Sequence, residues 1–199
     1  MPAIVRIPSA DPVMIKQLVD AGAQNILAPM IESADQAELI AKAMRYPPVG
    51  FRGVGTALAR AAQWNRVNDY FKLADDQMCC IGQIESVKAV DTLDEILEVE
   101  GLDVCFLGPA DLGATMGYLG QPGHPEVVAL VKDCIKKIVK AGKIAGFLTG
   151  SKSLIQEYMD AGALMVGVGL DTILLAKATK ALAETYKEEL LANKSNTKY

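Results

Sequence analysis

Met78-Cys-Cys-Ile-Gly-Gln-Ile-Glu85 and Asp103-Val-Cys-Phe-Leu-Gly-Pro-Ala-Asp111 decide how this chain is read, because each is an apolar run that ends in a carboxylate. Short continuous apolar runs bounded by turn residues are the pattern of strands covered on both faces. Between the two runs lies one amphipathic helix pattern, Val87 to Val99. A strand–helix–strand unit of that length makes neighbouring parallel strands. Neighbouring strands lie about 4.8 Å apart, so the spacing predicts that Glu85 and Asp111 emerge close together at one sheet edge. Two such acids repel unless something positive lies between them. A divalent cation, which takes hard oxygen ligands, is the economical answer. A helix dipole also favours an acid at a helix start, and that accounts for Glu85 alone but not for its partner.

The same alternation extends outward in both directions. Apolar strand runs occur at Ala3–Ile7, Asn25–Ala28, Met78–Ile84, Val104–Leu107, Ile144–Leu148 and Leu164–Val168. Helical patterns follow at Pro12–Ala21, Ala34–Met44, Val87–Val99, Pro125–Ala141, Ser151–Ala161 and Thr172–Glu189. Asp11-Pro12 and His124-Pro125, the latter followed by Glu126, read as N-caps with proline at the first helical position. Gly22, Gly142 and Gly162 stand where helices end in a left-handed turn. The pattern is that of an α/β fold with a parallel sheet, and six βα units suggest six of the eight in a (β/α)8 TIM barrel. A doubly wound open sheet is the alternative, but no Gly-x-Gly-x-x-Gly opens a helix after a strand. Two stretches break the rhythm. Residues 46–77 form a long connection with short helices expected near Thr56–Ala62 and Asn68–Asp76, and Gly113–Gly123 reads as a glycine-rich loop. Residues 1–186 read as one barrel domain, followed by a polar tail, 187–199, that loses its apolar period and frays.

The chain has 199 residues, 51% hydrophobic and 22% charged, enough for one domain with a sizeable core. A net charge of −4 argues against nucleic acid as a partner. No apolar stretch reaches the roughly 18 residues of a membrane span, and no secretion leader precedes the first strand. Cys79, Cys80, Cys105 and Cys134 lack zinc-type spacing, so they read as buried reduced thiols in a cytoplasmic protein.

Other groups belong to the same edge. Gln83, two positions before Glu85, faces the same side of the strand and either reaches the same ligand or hydrogen-bonds within the core. Gly108-Pro109-Ala110-Asp111 leaves a strand and turns, and the N–H groups of Ala110 and Asp111 are free to hold a carboxylate; simple turn chemistry is the plainer reading. Arg6, at a strand end, is a rigidly placed cation suited to oxyanion charge or to a structural ion pair. Arg52-Gly-Val-Gly55 lacks the Gly-Lys-Ser/Thr ending of a phosphate loop, so an interface or lid role with Trp64 is expected there. His124 is read as a helix start.

Taken together, Arg45-Tyr-Pro-Pro-Val-Gly-Phe-Arg-Gly-Val-Gly55, Ala59-Arg-Ala61, Gln83-Ile-Glu85, Gly108-Pro-Ala-Asp-Leu112 and His124-Pro-Glu126 resemble the metal-dependent pyruvate aldolases of the HpcH/HpaI aldolase/citrate lyase family. The resemblance runs from about Ile4 to Tyr186. It implies a (β/α)8 barrel, a homo-oligomer (a hexamer in the family), and reversible cleavage of 4-hydroxy-2-oxo acids to pyruvate and an aldehyde. By the same resemblance Glu85 and Asp111 match the ligands of a divalent metal, Mg²⁺ or Mn²⁺, with Co²⁺ or Zn²⁺ as further options. Gln83, the backbone of Ala110, and Leu148 match substrate-binding groups. Arg6 matches the arginine that stabilises the developing oxyanion, and Asp20, in Gln17-Leu-Val-Asp-Ala-Gly22, the acid that tunes a catalytic histidine.

Against the family pattern the sequence begins at the third barrel strand. The first two units, which carry that histidine, would lie upstream of Met1, and His124 sits in a different motif. The expectation is a chain slower than a complete relative and marginally stable, because six strands leave two edges open. A non-catalytic paralogue that pairs with a full-length subunit through those edges, and an acyl-CoA ester lyase akin to citrate lyase β subunits, are the alternatives.

Overall fold

The computed structural model describes residues 2–196, with side chains to residue 187. The chain divides into two compact units, Met1–Gly167 and Val168–Tyr199.

The first unit is built on one sheet of six parallel strands in sequential order: β1 (Ile4–Arg6), β2 (Asn25–Ala28), β3 (Cys79–Ile84), β4 (Val104–Leu107), β5 (Ile144–Leu148) and β6 (Met165–Gly167). The connecting helices are α1 (Pro12–Ala21), α2 (Ala34–Ala43), α3 (Tyr70–Leu73), α4 (Val87–Asp91), α5 (Leu93–Leu97), α6 (Pro109–Thr115), α7 (Pro125–Lys140) and α8 (Lys152–Asp160). Parallel crossovers are right-handed, so a strand order that never reverses puts the helices on one face. That removes the doubly wound alternative, whose order must reverse.

The sheet is curled. One cavity of about 310 Å³ is lined by Ile4, Asn25, Cys79, Ile81, Val104, Ile144, Leu164 and Met165, side chains contributed along the whole width of the sheet. Laid flat, six strands would span about 24 Å at 4.8 Å per step, too far for the first and last to share it. The register is staggered in the sense that curls a sheet. On β3, pairing with β2 begins at Cys79 but pairing with β4 at Ile81; on β5, pairing with β4 begins at Ile144 but with β6 at Gly146.

Strand alternation then sorts the side chains. Cys105, Leu107, Ala145 and Phe147 face the helices and join the main core with Ile15, Ile40, Leu93 and Ile135. Leu27, Ile81 and Val104 face inward with Phe106 and Met165 in a second, smaller cluster. The inner face is only partly covered: Ile4, Ile144 and Leu148 are exposed, unlike strands buried on both sides.

Several boundaries expected from the sequence hold. Asp11 caps α1 by accepting the Val13 N–H at 2.8 Å, and His124 caps α7 by accepting from Glu126 N–H through Nδ1 at 3.4 Å. Gly22 ends α1 at φ 108° and hands the chain to β2 within three residues. Other expectations need correction. The helix expected over Val87–Val99 is two short ones, interrupted at Thr92, whose hydroxyl donates to the carbonyls of Lys88 and Glu32 and draws the chain toward the β2–α2 turn. Gly108–Thr115, expected as a turn running into a loop, contains α6. In the long connection α3 stands within the helix expected near Asn68–Asp76, followed by a 3-10 turn at Asp75–Gln77, while the helix expected near Thr56–Ala62 is reduced to a 3-10 turn at Arg60–Ala62.

The second unit is one helix, α9 (Asp171–Asn196), which continues beyond the Glu189 end expected from periodicity. The last residues of the expected tail, 197–199, lie outside the described residues. Among the described residues, no helix is long and apolar enough to cross a membrane.

Candidate active site at the carboxyl edge of the sheet

Glu85 is the residue after β3, and its side chain is 2% exposed. One oxygen, Oε1, accepts the backbone N–H of Met30 at 3.0 Å, and the other accepts the amide of Gln83. Met30 lies in the β2–α2 turn at φ 54°, a left-handed conformation that side-chain-bearing residues rarely adopt, and Ile31 N–H bonds the Gln83 carbonyl at 3.0 Å. The turn thus runs alongside the end of β3 and aims one N–H at the carboxylate. Burial holds the Glu85 carboxyl above the usual carboxylate range; the Met30 N–H opposes this, the negative charge of Asp111 adds to it, and Arg6 and Gln83 act against it.

Asp111 stands in the first turn of α6, four residues beyond the end of β4, and is exposed. β3 and β4 are paired with Ile84 opposite Leu107, so both acids leave neighbouring strands at one edge, as the spacing predicts. Two contacts fix their segments together. Gly108 N–H bonds the Ile84 carbonyl at 3.1 Å, and Thr115 of α6 accepts the N–H of Val87, the first residue of α4, at 3.2 Å. Gly108 is required for another reason: a Cβ there would lie 2.7 Å from Glu85 Oε2 and 3.2 Å from Gln83 Nε2.

Arg6 ends β1 and is exposed, and Leu148, 37% exposed, ends β5 on the concave side. Ala110 is the second residue of α6, where first-turn N–H groups have no intrahelical partner. Neither Glu85, Asp111 nor Arg6 enters a salt bridge among the described residues. A buried carboxylate with two neutral donors and no cation in salt-bridge contact, beside a second acid, suits a divalent cation with oxygen ligands. No group of three or more His, Cys, Asp or Glu gathers for a metal among the described residues.

Asp20 is elsewhere. It lies at the C-terminal end of α1, two residues before Gly22 and five before β2, hence toward the opposite edge of the sheet. Its Oδ1 accepts Nε and Nη2 of Arg52 at 3.1 and 2.8 Å. Arg52 is 1% exposed, donates from Nη2 to the Tyr70 hydroxyl at 3.1 Å, and lies over the Tyr46 ring at 4.5 Å. The Arg52–Gly55 segment therefore anchors in the interior through its arginine and is no phosphate loop, while Trp64 is 54% exposed. His124 stacks on Tyr118 at 3.7 Å between ring centroids. The four thiols are free; burial pushes Cys80 and Cys105 up to about 12 and Cys134 to about 11, so these stay protonated.

Sequence reading missed four parts of this edge: the Met30 N–H, Glu32, Ser86 and Thr115. Ser86 carries a signal, as a serine directly before a helix pattern, and its hydroxyl does accept Ala89 N–H at 3.1 Å. Glu32 and Met30 carry none, because their partners lie more than fifty residues away.

A singly wound α/β protein with paired acids, an arginine and a free helix start at the carboxyl edge of its strands has the layout of a (β/α) enzyme with its site at the strand ends. Residues 1–178 match the sequence profile described as HpcH/HpaI aldolase/citrate lyase, and the chain belongs to that family. A protein of Shigella sonnei (strain Ss046) named 4-hydroxy-2-oxo-heptane-1,7-dioate aldolase is 51% identical over 191 residues, 96% of this chain and 73% of that one. Among solved structures, an HpcH/HpaI aldolase/citrate lyase family protein from Burkholderia cenocepacia J2315 superposes with a TM-score of 0.86 at 33% identity, over 94% of this chain and 74% of that chain. The HpcH/HpaI aldolase from Desulfitobacterium hafniense DCB-2 does so with a TM-score of 0.85 at 31% identity, over 93% and 72%.

Proposed function

We propose that the chain is a carbon–carbon lyase that splits a 4-hydroxy-2-oxo acid, of the class named for its relatives, into pyruvate and an aldehyde. The observation that carries this reading is the buried Glu85, without a salt bridge among the described residues and at the same edge as Asp111 and Arg6, in a chain half identical to proteins named as aldolases. Glu85 and Asp111 would hold a divalent metal, Mg²⁺ or Mn²⁺, and a bound dication supplies a Lewis acid that polarises the 2-oxo group.

The rest is the work of side chains and backbone. Cleavage breaks the C3–C4 bond; the hydroxyl at C4 gives its proton to solvent water and becomes the aldehyde carbonyl, the electron pair moves to C3=C2 with negative charge on the C2 oxygen, and C3 then takes a proton from water to complete pyruvate. Arg6 is placed to stabilise that charge as it develops. The N–H groups of Ala110 and Asp111 hold the substrate carboxylate, and Leu148 forms the apolar wall beside C3 and C4. Gln83 faces the substrate, but its amide also holds Glu85, so its carbonyl oxygen is the atom left free. His124 caps α7 and takes no part.

The finer fold reading is that the six units belong to an eight-unit barrel, whose other two units would pair with the free edges of β1 and β6. The working form is a homo-oligomer, supported by Val54, Leu58 and Trp64 standing out from the long connection at 64%, 88% and 54% exposure. The buried free thiols suit a reducing compartment such as the cytoplasm.

The test is pyruvate release from racemic 4-hydroxy-2-oxoheptanedioate with Mg²⁺ or Mn²⁺ added. Cleavage that stops with chelator and falls at least about 10³-fold in Glu85→Gln and Asp111→Asn, about 4 kcal/mol of transition-state stabilisation, is the expected result. Pyruvate release indifferent to chelator and to both substitutions would sink the reading.

A further inference from the structure

Ser86, the residue after Glu85, holds a carboxylate that the proposed reaction does not use. Glu32, on the β2–α2 turn, accepts the Ser86 hydroxyl at 2.6 Å and the Lys88 ammonium at 3.1 Å. Its backbone carbonyl accepts the Thr92 hydroxyl at 3.0 Å. Ser86 is the residue next to Glu85 and is 5% exposed. The turn is thus clamped to the start of α4 through Glu32, while two residues earlier it presents the Met30 N–H to Glu85 Oε1 at 3.0 Å. Met30 holds its left-handed φ of 54° at a free-energy cost, so something must hold the turn in place. Thr92 interrupts the helix pattern and points its hydroxyl at this same turn, so the break between α4 and α5 belongs to the clamp as well.

We propose that Glu32 and Ser86 are a positioning pair: their hydrogen bond fixes the β2–α2 turn so that the Met30 N–H orients the Glu85 carboxylate for a divalent cation. The pair touches neither cation nor substrate and acts only through Glu85. The proposal rests on the reading of Glu85 as a cation ligand. Outer groups that orient a ligand typically contribute about 10–100-fold in metal affinity. Without the clamp the turn relaxes from its strained geometry, the Met30 N–H turns away, and Glu85 explores rotamers in which it no longer faces Asp111.

The experiment is Mn²⁺ titration by calorimetry on the full chain, with no substrate present. Glu32→Ala, which removes the acceptor, is expected to weaken Mn²⁺ binding about tenfold. Glu32→Gln, whose amide oxygen still accepts from Ser86, is expected to remain within about threefold of the parent. A Glu32→Ala protein that melts lower but binds Mn²⁺ as tightly as the parent, while Glu85→Gln does not bind it, would overturn the positioning role and leave the site standing. Glu85→Gln with undiminished Mn²⁺ uptake would instead remove the site itself, and the positioning pair with it. Should Glu32→Ala not fold, Ser86→Ala against Ser86→Thr repeats the comparison from the donor side. Tenfold weaker binding in the alanine variant with rescue by threonine supports the pair, and equal binding in the two overturns it.

Discussion

Two charges are buried at opposite edges of the same sheet, and they are treated in opposite ways. Arg52, toward the amino edge, is 1% exposed and paired within the chain by the Asp20 carboxylate at 2.8 Å, the Tyr70 hydroxyl, and the ring faces of Tyr46 and Tyr70 at 4.5 and 5.7 Å, although its Nη1 has no hydrogen-bond partner among the described residues. Glu85, at the carboxyl edge, is 2% exposed and has two neutral donors, a neighbouring acid, and no cation in salt-bridge contact among the described residues. Burying an ion costs several kcal/mol unless it is paired. The fold meets that cost at Arg52 within its own chain and leaves it outstanding at Glu85. The first charge is paired within the chain; the second has no salt-bridge partner among the described residues.

The largest effect expected from this contrast is on stability. Arg52→Met strands the Tyr70 hydroxyl and cuts the tie between the long connection and α1. Charge-assisted hydrogen bonds contribute about 1.5–3 kcal/mol each, and losing those of Arg52 to Asp20, itself 40% exposed, lowers Tm by roughly 10 °C in a chain of this size. Thermal unfolding followed by circular dichroism measures it. Mn²⁺ binding by the folded fraction should stay within about twofold of the parent. Loss of Mn²⁺ binding by folded Arg52→Met would show that the two edges are not independent.

Much of this contrast was legible in the sequence, and the illegible part has a physical cause. Strand runs at Asn25–Ala28, Val104–Leu107 and Ile144–Leu148 coincide with β2, β4 and β5, because short apolar runs between turn residues have few other ways to fold. The shared edge of Glu85 and Asp111 follows from strand adjacency, a consequence of connection length. Two things did not follow. α6 was hidden because Gly108, Pro109 and Gly113 read as turn residues, although proline suits the first helical position. The Arg52–Asp20 pair was hidden because a salt bridge across 32 positions leaves no local pattern, and a buried arginine in a glycine-rich stretch looks like a surface loop. Asp20, which the resemblance matches to the acid that tunes a catalytic histidine, accepts Arg52 Nη2 at 2.8 Å.

A smaller effect sharpens the carboxyl-edge side of the comparison. Gly108→Ala adds a methyl 2.7 Å from Glu85 Oε2 and 2.8 Å from its Cβ, where backbone φ of −107° raises no objection. Overpacking of this kind costs about 1–3 kcal/mol, and here the strain falls on the carboxylate. Mn²⁺ affinity should drop by at least about tenfold in calorimetry. Gly53→Ala, which meets nothing within 4 Å, should leave it unchanged. Equal Mn²⁺ affinity in the two variants would mean that Glu85 has room to move and that its orientation is not set by packing.

The smallest effect is the most discriminating, because it inverts the usual outcome of mutating a buried charge. Glu85 has a folded-state carboxyl above its ordinary value, owing first to burial. The native state therefore holds this proton to higher pH than the unfolded chain does, and stability is lost as pH rises through that window. Above it, the metal-free protein carries a buried, uncompensated anion. Glu85→Gln removes the charge, keeps an acceptor for Met30 N–H, and needs only a flip of the Gln83 amide to restore the second bond. With chelator present at neutral pH, Glu85→Gln should melt a few degrees above the parent, about 2–4 °C per kcal/mol of charge burial relieved. The gain should fade as pH falls below the ordinary carboxylate range, where the parent is protonated in both states. Saturating Mn²⁺ should reverse the order at neutral pH, since only the parent binds it and binding to the native state stabilises it. Arg52→Met offers no such inversion, because its charge is already compensated within the chain. If Glu85→Gln is instead less stable than the metal-free parent at neutral pH, the carboxylate is compensated after all, and the two edges of the sheet are built alike.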